Sequence, residues 1–129
     1  MTGQQVYGMA YPFGGHTKNV RQIAKEEGIF YARTTVSSYG FGMPERLLEL
    51  SPTCHHDDPA LFELAEEFIR GDKDEYRIFY IWGHSYEFDI HGNWDRFERF
   101  LGMVSEREDV YYGTNMQVLC PCREKGVRV

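Results

Sequence analysis

The sequence predicts an α/β fold, built mainly on a parallel sheet with flanking helices, and three observations lead to this prediction. Strand-like apolar segments alternate with helix-like amphipathic segments along the chain. Residues 76–82 (YRIFYIW) form an apolar run without polar alternation, which is typical of a parallel strand covered on both faces. The 129 residues contain no repeat or low-complexity segment and have the length of a single domain.

The N-terminal part of the chain predicts a strand followed by a helix. Residues 5–11 (QVYGMAY) are expected to form the strand, because aromatic and β-branched side chains occur in it and a proline and two glycines follow. Thr17 is the expected N-cap of a helix that runs to about Glu27 and ends at Gly28.

A second strand, a long loop and a second helix are predicted next. Residues 29–33 (IFYAR) are the strand, and the loop is expected over residues 34–56; loops of that length often carry function. Asp58 and Pro59 are expected to start a helix that ends at Gly71. Its apolar side chains recur at the spacing of one buried helix face: Leu61, Leu64, Ala65, Phe68 and Ile69.

The remaining predicted elements are two strands and one helix. Residues 76–82 are the third strand and residues 110–114 (VYYGT) the fourth. Between them, Asn93 is expected to cap a helix whose inward side chains are Trp94, Phe97, Leu101 and Val104. With right-handed crossovers, this order gives a parallel sheet.

Polar and glycine-rich residues follow the carboxyl end of each predicted strand. In parallel α/β sheets, ligands bind beyond those strand ends. We therefore expect one rim that gathers these residues from four segments: Pro12–Gly14, Arg33, Gly83 with His84 and Asp89, and Thr114 with Asn115.

Charge and hydropathy exclude several partner classes. The formal net charge of −6 argues against nucleic acid, because phosphate contact requires clustered Lys and Arg. No run reaches the roughly 18 apolar residues of a membrane span, and the N-terminal residues do not have the pattern of a signal peptide. The expectation is a cytoplasmic protein with reduced cysteines, since Cys120-Pro121-Cys122 is not a C-x-x-C pair. Residues 119–129 are expected to be a disordered tail.

His84 is the sharpest candidate for chemistry. A histidine at the end of a strand can act as an acid, a base or a metal ligand at neutral pH. Glu87 or Asp89 can accept a hydrogen bond from its other ring nitrogen. The alternative is a histidine whose hydrogen bonds are made by the loop backbone.

The run Cys54-His55-His56-Asp57-Asp58 holds five possible metal ligands. Adjacent residues seldom point at one ion, so the favoured interpretation is the start of a helix with charged capping residues. A metal site that uses His55, His56 and His84 stays open as an alternative. His16 and His91 are expected to be solvated.

Two further interpretations stay open. Arg33 is a candidate either to hold a carboxylate or acyl oxygen, or to pair with a structural Asp or Glu. Tyr86, Trp82 and Trp94 can form an aromatic wall that stacks on a sugar, although core packing is the favoured role for both tryptophans.

Several segments, in this order, resemble the polysaccharide deacetylase family, the NodB-like or family 4 carbohydrate esterases. The resemblance covers about residues 2–118, with its motifs at AYPFGG (10–15), GIFYART (28–34), PTCHHDD (52–58), WGHSYEFD (82–89), NWDRFERFL (93–101) and GTNMQV (113–118). It implies the C-terminal half of a distorted (β/α) barrel and metal-dependent removal of acetyl groups from N-acetylated sugars. The implied cofactor is a divalent metal, zinc or similar, and the implied ligand is a carbohydrate.

The resemblance also implies roles for individual residues. His84 approximately matches the family's late histidine, the general acid; Asp89 is a candidate catalytic residue through its position near His84, as Glu87 is, and not through a family match. The backbone N–H of Phe13 matches an oxyanion donor, and Arg33 is the candidate for a charge that the family carries where this chain has Ala10. The implied substrate contacts are Tyr11, Tyr86 and Trp82.

The chain also departs from the family's pattern. The family's Thr-Phe-Asp-Asp and His-x-x-x-His segments, which carry the base and metal ligands, belong upstream of AYPFGG and have no counterpart here. The resemblance therefore identifies no metal ligand in this chain, and activity of the chain alone is not expected. The alternative is a non-catalytic carbohydrate-binding or metal-binding remnant. Half a barrel leaves an open sheet edge, so a homo-oligomer is expected.

Overall fold

A computed structural model describes residue 3, residues 5–72 and residues 74–120. The described chain is mixed α/β, with short parallel strands and five α-helices. In chain order the elements are β1 (Gly8–Ala10), α1 (Lys18–Glu26), β2 (Tyr31–Arg33), β3 (Cys54–His55), α2 (Leu61–Arg70), β4 (Ile81–Trp82), α3 (Ser85–His91), α4 (Trp94–Val104) and α5 (Asn115–Leu119). The chain divides into two compact units, each with one pair of parallel strands.

The first unit contains the described residues up to Val36, Met43–Ser51 and the segment from Tyr112 onward. β1 and β2 pair in parallel, with Met9 opposite Ala32, and Leu50 continues the pairing as a bridge to Arg33. Helix α1 connects the two strands and starts at Thr17, whose hydroxyl accepts from the Val20 N–H at 3.3 Å. The predicted strand–helix–strand order and the Thr17 cap are therefore confirmed.

The second unit contains Ser37–Gly42 and Pro52–Tyr111. β3 pairs in parallel with β4, with Cys54 opposite Ile81 and His55 opposite Trp82, and α2 forms the crossover between them. The predicted apolar face of α2 is buried: Leu61, Leu64 and Ala65 pack with Phe41, Cys54 and Phe100 in one hydrophobic core. Burying each large side chain contributes roughly 1.5–3 kcal/mol, so this core is the main stabilising element of the unit.

The strands are shorter than the sequence predicts. Only Ile81 and Trp82 of the predicted strand 76–82 belong to a ladder, because β3 offers just two residues for pairing. Earlier residues of that run bond irregularly: the Ile78 N–H donates to the Phe41 carbonyl at 2.7 Å, and the Tyr80 N–H donates to the Thr53 hydroxyl at 3.1 Å.

The prediction of a fourth strand at 110–114 is wrong. These residues form no strand, and Tyr111 and Tyr112 are more than half exposed. Thr114 instead begins α5 in a capping box: its hydroxyl accepts from the Gln117 N–H, and the Gln117 side chain accepts from the Thr114 N–H at 2.8 Å. The Thr-Asn-Met-Gln spacing carries that signal in the sequence.

Two other predictions require correction. The loop 34–56 contains a 3₁₀ turn at Leu47–Glu49 and ends in β3, so it is not continuous irregular structure. Residues 85–91, where no helix or strand is predicted, form helix α3, which ends at the left-handed Gly92 (φ 60°).

Helix α4 starts after Asn93 as predicted, and two of its four predicted inward side chains, Phe97 and Val104, pack against the core. Phe100 is the buried residue of this helix, while Trp94 and Leu101 are about half exposed. Among the described residues, no helix has both the length and the apolar character needed to cross a bilayer. Most of the tail expected over 119–129 lies outside the described residues, whereas Leu119 ends α5.

Candidate metal centre

Parallel pairing brings the residues after β3 and β4 to the same edge of the small sheet. His55 is opposite Trp82, and the His56 N–H donates to the Trp82 carbonyl at 2.9 Å. His56 and Gly83 therefore lie side by side where the strands end, and His84 follows as the N-cap of α3. The short PTCHHDD and WGHSYEFD segments meet here.

Arg96 of α4 holds the loop after β3 in place. Its guanidinium donates to the His56 carbonyl at 2.5 Å and to the Asp58 carbonyl at 2.7 Å. The Asp58 carboxylate accepts from the Ala60 N–H at 2.9 Å in the turn that precedes α2. The expectation that this run starts a helix is wrong, since Cys54 and His55 form β3, His56 is 3% exposed, and α2 begins only at Leu61 with Ala60 as an N-cap that makes no side-chain hydrogen bond.

Gly83 is required by the close approach of His56. A Cβ at position 83 would lie 1.7 Å from Cδ2 and 2.4 Å from Nε2 of the His56 ring. No side chain fits that space while the imidazole keeps its position. The glycine that ends the apolar run 76–82 therefore makes room for a buried histidine.

Glu87 is the centre of the cluster. Its Oε2 accepts from the His84 backbone N–H at 2.8 Å and lies 2.8 Å from His56 Nε2 and 3.2 Å from His55 Nε2. Its Oε1 lies 3.2 Å from His84 Nδ1. Three imidazoles thus converge on one carboxylate that stands in the first turn of α3.

His55, His84 and Glu87 are a group of side chains that could hold a divalent metal ion. Each offers one ligand atom, and these atoms lie within 4.8 Å of one another. Two atoms bound to one tetrahedral zinc at ~2.0–2.1 Å stand about 3.3 Å apart; Glu87 lies 3.2 Å from each histidine, through Oε2 to His55 Nε2 and through Oε1 to His84 Nδ1. Two histidines and one glutamate are a donor set that catalytic zinc uses, with the fourth position left open.

Cys54 does not join this set. The thiol is fully buried, and burial raises its pKa to about 11, so it is not the thiolate that metals bind.

A second group of possible ligands, His55, His56 and Asp57, adjoins the first. The Asp57 carboxylate is already occupied: it accepts from Asn93 Nδ2 at 2.5 Å and lies 2.5 Å from His91 Nδ1. His56 Nδ1 lies 3.2 Å from Asp57 Oδ1 but has no hydrogen-bond partner among the described residues, so that contact is electrostatic only. Asp57 thus contacts His91, Asn93 and His56, and His56 in turn contacts Glu87. We therefore assign His56 and Asp57 to positioning Glu87 and not to binding an ion.

The electrostatics keep the central carboxylate ionised. Burial acts to raise the pKa of Glu87, but hydrogen bonds from the His84 backbone and from the His56 and His84 side chains outweigh it and lower that pKa to about 2. The pKa of Asp57 is also lowered, because hydrogen bonds from His91 and Asn93 outweigh its desolvation. Burial, followed by the neighbouring His56, lowers the pKa of His55 and favours the neutral imidazole that binds metals.

These shifts predict that the metal-free protein loses stability in acid. Because the folded-state pKa of Glu87 is below its ordinary 4.5, the stability that it contributes above pH 4.5 is lost as the pH falls toward about 2. Because the folded-state pKa of His55 is below its ordinary 6.5, a pH below 6.5 protonates this histidine in the unfolded state before it does so in the folded state, which also lowers stability. Urea midpoints measured in EDTA at pH 7, 5 and 3 should fall stepwise, and Glu87→Gln should flatten the step below pH 4.5. A midpoint that rises on acidification would contradict this account.

A groove of about 380 Å³ opens beside the cluster. Its lining includes His56 and His84 from the cluster. The rest is mainly apolar: Ile81, Trp82, Phe88, Phe97, Phe100 and Leu101, with Gly83 and Ser85. Its volume is within the ~300–1,000 Å³ range of small-molecule sites.

The structure places the sequence-predicted site residues in two groups. Tyr11, Phe13 and Arg33 belong to the first unit. Tyr11 is buried, and its hydroxyl donates to the Leu48 carbonyl at 3.0 Å, so its ring is not free to stack on a sugar. Phe13 has a left-handed backbone (φ 56°) and a fully exposed ring, and Arg33 donates to the Thr34 carbonyl at 2.9 Å.

The predicted site residues of the second unit lie around the groove and the cluster. His84 and Trp82 line the groove, and Tyr86 stacks on His84 with ring centroids 5.2 Å apart. Of the two carboxylates proposed as partners of His84, Glu87 makes the contact, whereas Asp89 accepts from the Trp94 indole at 2.7 Å.

Two expectations about solvated histidines differ in outcome. His91 is half exposed but is anchored on Asp57. His16 is not solvated: its side chain is 18% exposed, stacks on Tyr11 at 4.7 Å and lies 3.8 Å from Glu49.

The sequence pattern does not predict Glu87 as a candidate ligand. No helix is predicted over residues 85–91, so nothing in the sequence pattern fixes the direction of this side chain. The spacing of Glu87 three residues after the N-cap His84 is the signal that would have placed it in the first turn of a helix. His55 and His56 were identified only as an alternative, because adjacent side chains of an extended chain point to opposite faces.

Comparisons with known proteins gave no relative for this chain. No family model, no curated protein and no solved structure matches it.

Proposed function

We propose that this chain is a divalent-metal-dependent hydrolase, with zinc as the first candidate metal, held by His55, His84 and Glu87. The observation that carries the proposal is the convergence of two imidazoles on an ionised carboxylate beside a groove. A bound divalent ion would supply Lewis-acid chemistry for the attack of water on a carbonyl. The ligand set leaves room for that chemistry because three protein ligands do not fill a tetrahedral site.

The chain's own residues prepare the ligands. The His84 N–H and His56 Nε2 both contact Glu87 Oε2 at 2.8 Å, which fixes the rotamer of the carboxylate. His56 is itself fixed by burial and by the neighbouring Gly83. Such outer contacts commonly alter metal affinity 10- to 100-fold when they are removed.

The reaction class that we propose is hydrolysis of an amide-linked acyl group on a carbohydrate. The support is the motif resemblance to polysaccharide deacetylases together with the half-exposed Tyr86, whose ring stacks on His84 and offers an aromatic face beside the centre. The apolar face of a sugar stacks well on such a ring.

The test measures zinc binding and acid release on the same protein. Purified chain is stripped with EDTA, titrated with zinc in a calorimeter, and assayed for acetate release from chito-oligosaccharide with added zinc or cobalt. One zinc per chain with zinc-dependent acetate release supports the proposal. Zinc binding without release from chito-oligosaccharide, but with binding of that sugar, would favour a non-catalytic carbohydrate-binding role. No zinc binding at neutral pH rejects the metal centre.

His84→Ala separates two roles for that histidine. As a ligand, His84 is required for zinc affinity, so the variant should lose both zinc binding and hydrolysis. As the general acid that the resemblance implies, it would be required for hydrolysis only, and zinc affinity would stay unchanged. Titration calorimetry of the variant decides between them, with His16→Ala in the first unit as the matched control.

A further inference from the structure

We propose that the groove beside the centre binds the acyl group of the substrate and favours an apolar acyl group larger than acetyl. This inference rests on the proposed function, because it assumes hydrolysis at the neighbouring metal centre. It extends the proposed function by naming the class of acyl group that the groove would select.

The size of the groove exceeds what acetyl needs. A volume of about 380 Å³ has room for roughly a dozen water-sized heavy atoms, at ~30 Å³ each. An acetyl group would leave most of that space to water. A linear or branched acyl group of about six carbons uses it better.

The chemistry of the lining selects an apolar group. Five hydrocarbon side chains line the groove: Ile81, Phe88, Phe97, Phe100 and Leu101. Among the described residues, no Asp, Glu, Lys or Arg lines it. A charged or strongly polar substituent would lose its hydration against these five side chains, since the polar side chains His56, His84 and Ser85 make up only a minority of the lining.

The position of the groove connects it to the reacting group. His84, a proposed metal ligand, and His56, which contacts the ligand Glu87, both line it. Phe88 and Phe100 are buried and form the deeper part of the lining, while His84 and Leu101 are about half exposed and lie at its rim. An acyl chain in the groove therefore has its carbonyl end near the centre.

The proposed reaction is an ordinary hydrolysis. Water adds to the acyl carbon, the bond between that carbon and the amide nitrogen breaks, and the products are a carboxylate and an amine that takes up a proton. No oxidant or other co-reactant is needed.

The experiment compares acyl lengths on one scaffold. The zinc-loaded chain is assayed with N-acetyl-, N-butanoyl- and N-hexanoyl-chitobiose, and the freed amine is quantified. Because one methylene in an apolar pocket alters kcat/KM roughly 10- to 200-fold, kcat/KM for hexanoyl should exceed that for acetyl by at least about 10-fold. Leu101→Gln, at the rim, should remove most of that preference. Ile90→Gln, at an exposed apolar residue that does not line the groove, should keep it.

The outcomes separate this inference from the proposed function. Equal or falling kcat/KM with acyl length would overturn the acyl groove and leave the metal-dependent hydrolase standing. No hydrolysis of any substrate would reject the proposed function, and a binding measurement with a free fatty acid then tests the groove alone.

In a Trp94→Phe background, sodium hexanoate should quench Trp82 fluorescence saturably, and Leu101→Gln should weaken that quenching. Absence of saturable quenching would overturn the groove as an acyl site.

Discussion

Replacing Glu87 with glutamine is expected to lower zinc affinity by more than 100-fold. The change removes the negative charge that the cluster holds ionised, since the pKa of Glu87 is lowered to about 2, and leaves the two histidine ligands without their anionic partner. Removal of an outer contact alone costs 10- to 100-fold, so loss of a direct ligand should exceed that range. Competition titration with a zinc chelator at pH 7 measures the effect, and hydrolysis at limiting zinc should fall in parallel.

The matched control is Glu98→Gln. Glu98 is exposed on α4 of the same unit, and this substitution makes the same chemical and charge change away from the cluster. It should leave zinc affinity within about twofold of the wild type. If Glu87→Gln binds zinc as tightly as Glu98→Gln does, Glu87 is not a ligand.

Replacing Gly83 with alanine is expected to damage the fold and the centre together. The new methyl group would overlap the His56 ring, whose Cδ2 would lie 1.7 Å from it, and His56 cannot move without breaking its contact with Glu87. Overpacking of this kind typically costs 1–3 kcal/mol in the free energy of unfolding. Urea denaturation measures that loss, and zinc titration should show about 10- to 100-fold weaker binding because the position of Glu87 is no longer fixed.

Gly102→Ala is the control for this substitution and should have the opposite sign. Gly102 lies in α4, and nothing stands within 4 Å of a Cβ built there. Alanine in a helix interior is roughly 0.5–1 kcal/mol more favourable than glycine, so this variant should be more stable, with zinc affinity unchanged. Equal stability of the two alanine variants would mean that the close packing of Gly83 against His56 is not present in solution.

Local signals predicted the helices better than the strands. The Thr17 cap and the apolar spacing of α2 each depend on neighbours within one or two turns, and both predictions are confirmed. The strand at 76–82 needed a partner, and the length of that partner is a tertiary property: β3 offers only Cys54 and His55. At 110–114, aromatic and β-branched content favoured a strand, but the capping box at Thr114 decided the outcome.

The candidate site was predicted only in part, because local signals give its location but not the tertiary contacts that complete it. Its location after a strand end followed from the parallel α/β pattern, and His84 does lie beside the groove. The ligand partners could not be derived, because they depend on the register that sets His55 opposite Trp82 and on helix α3, which presents Glu87 in its first turn. The rim expected to unite Phe13 and Arg33 with His84 drew on residues that the structure assigns to separate units.

The most direct measurement of the central claim is anomalous diffraction from crystals of the zinc-loaded chain, recorded on both sides of the zinc absorption edge. The account predicts one strong peak per chain, within about 2.0–2.2 Å of a ring nitrogen of His55, a ring nitrogen of His84 and a carboxylate oxygen of Glu87. A zinc-loaded crystal without a peak at these three side chains, or with its peak elsewhere, would contradict it.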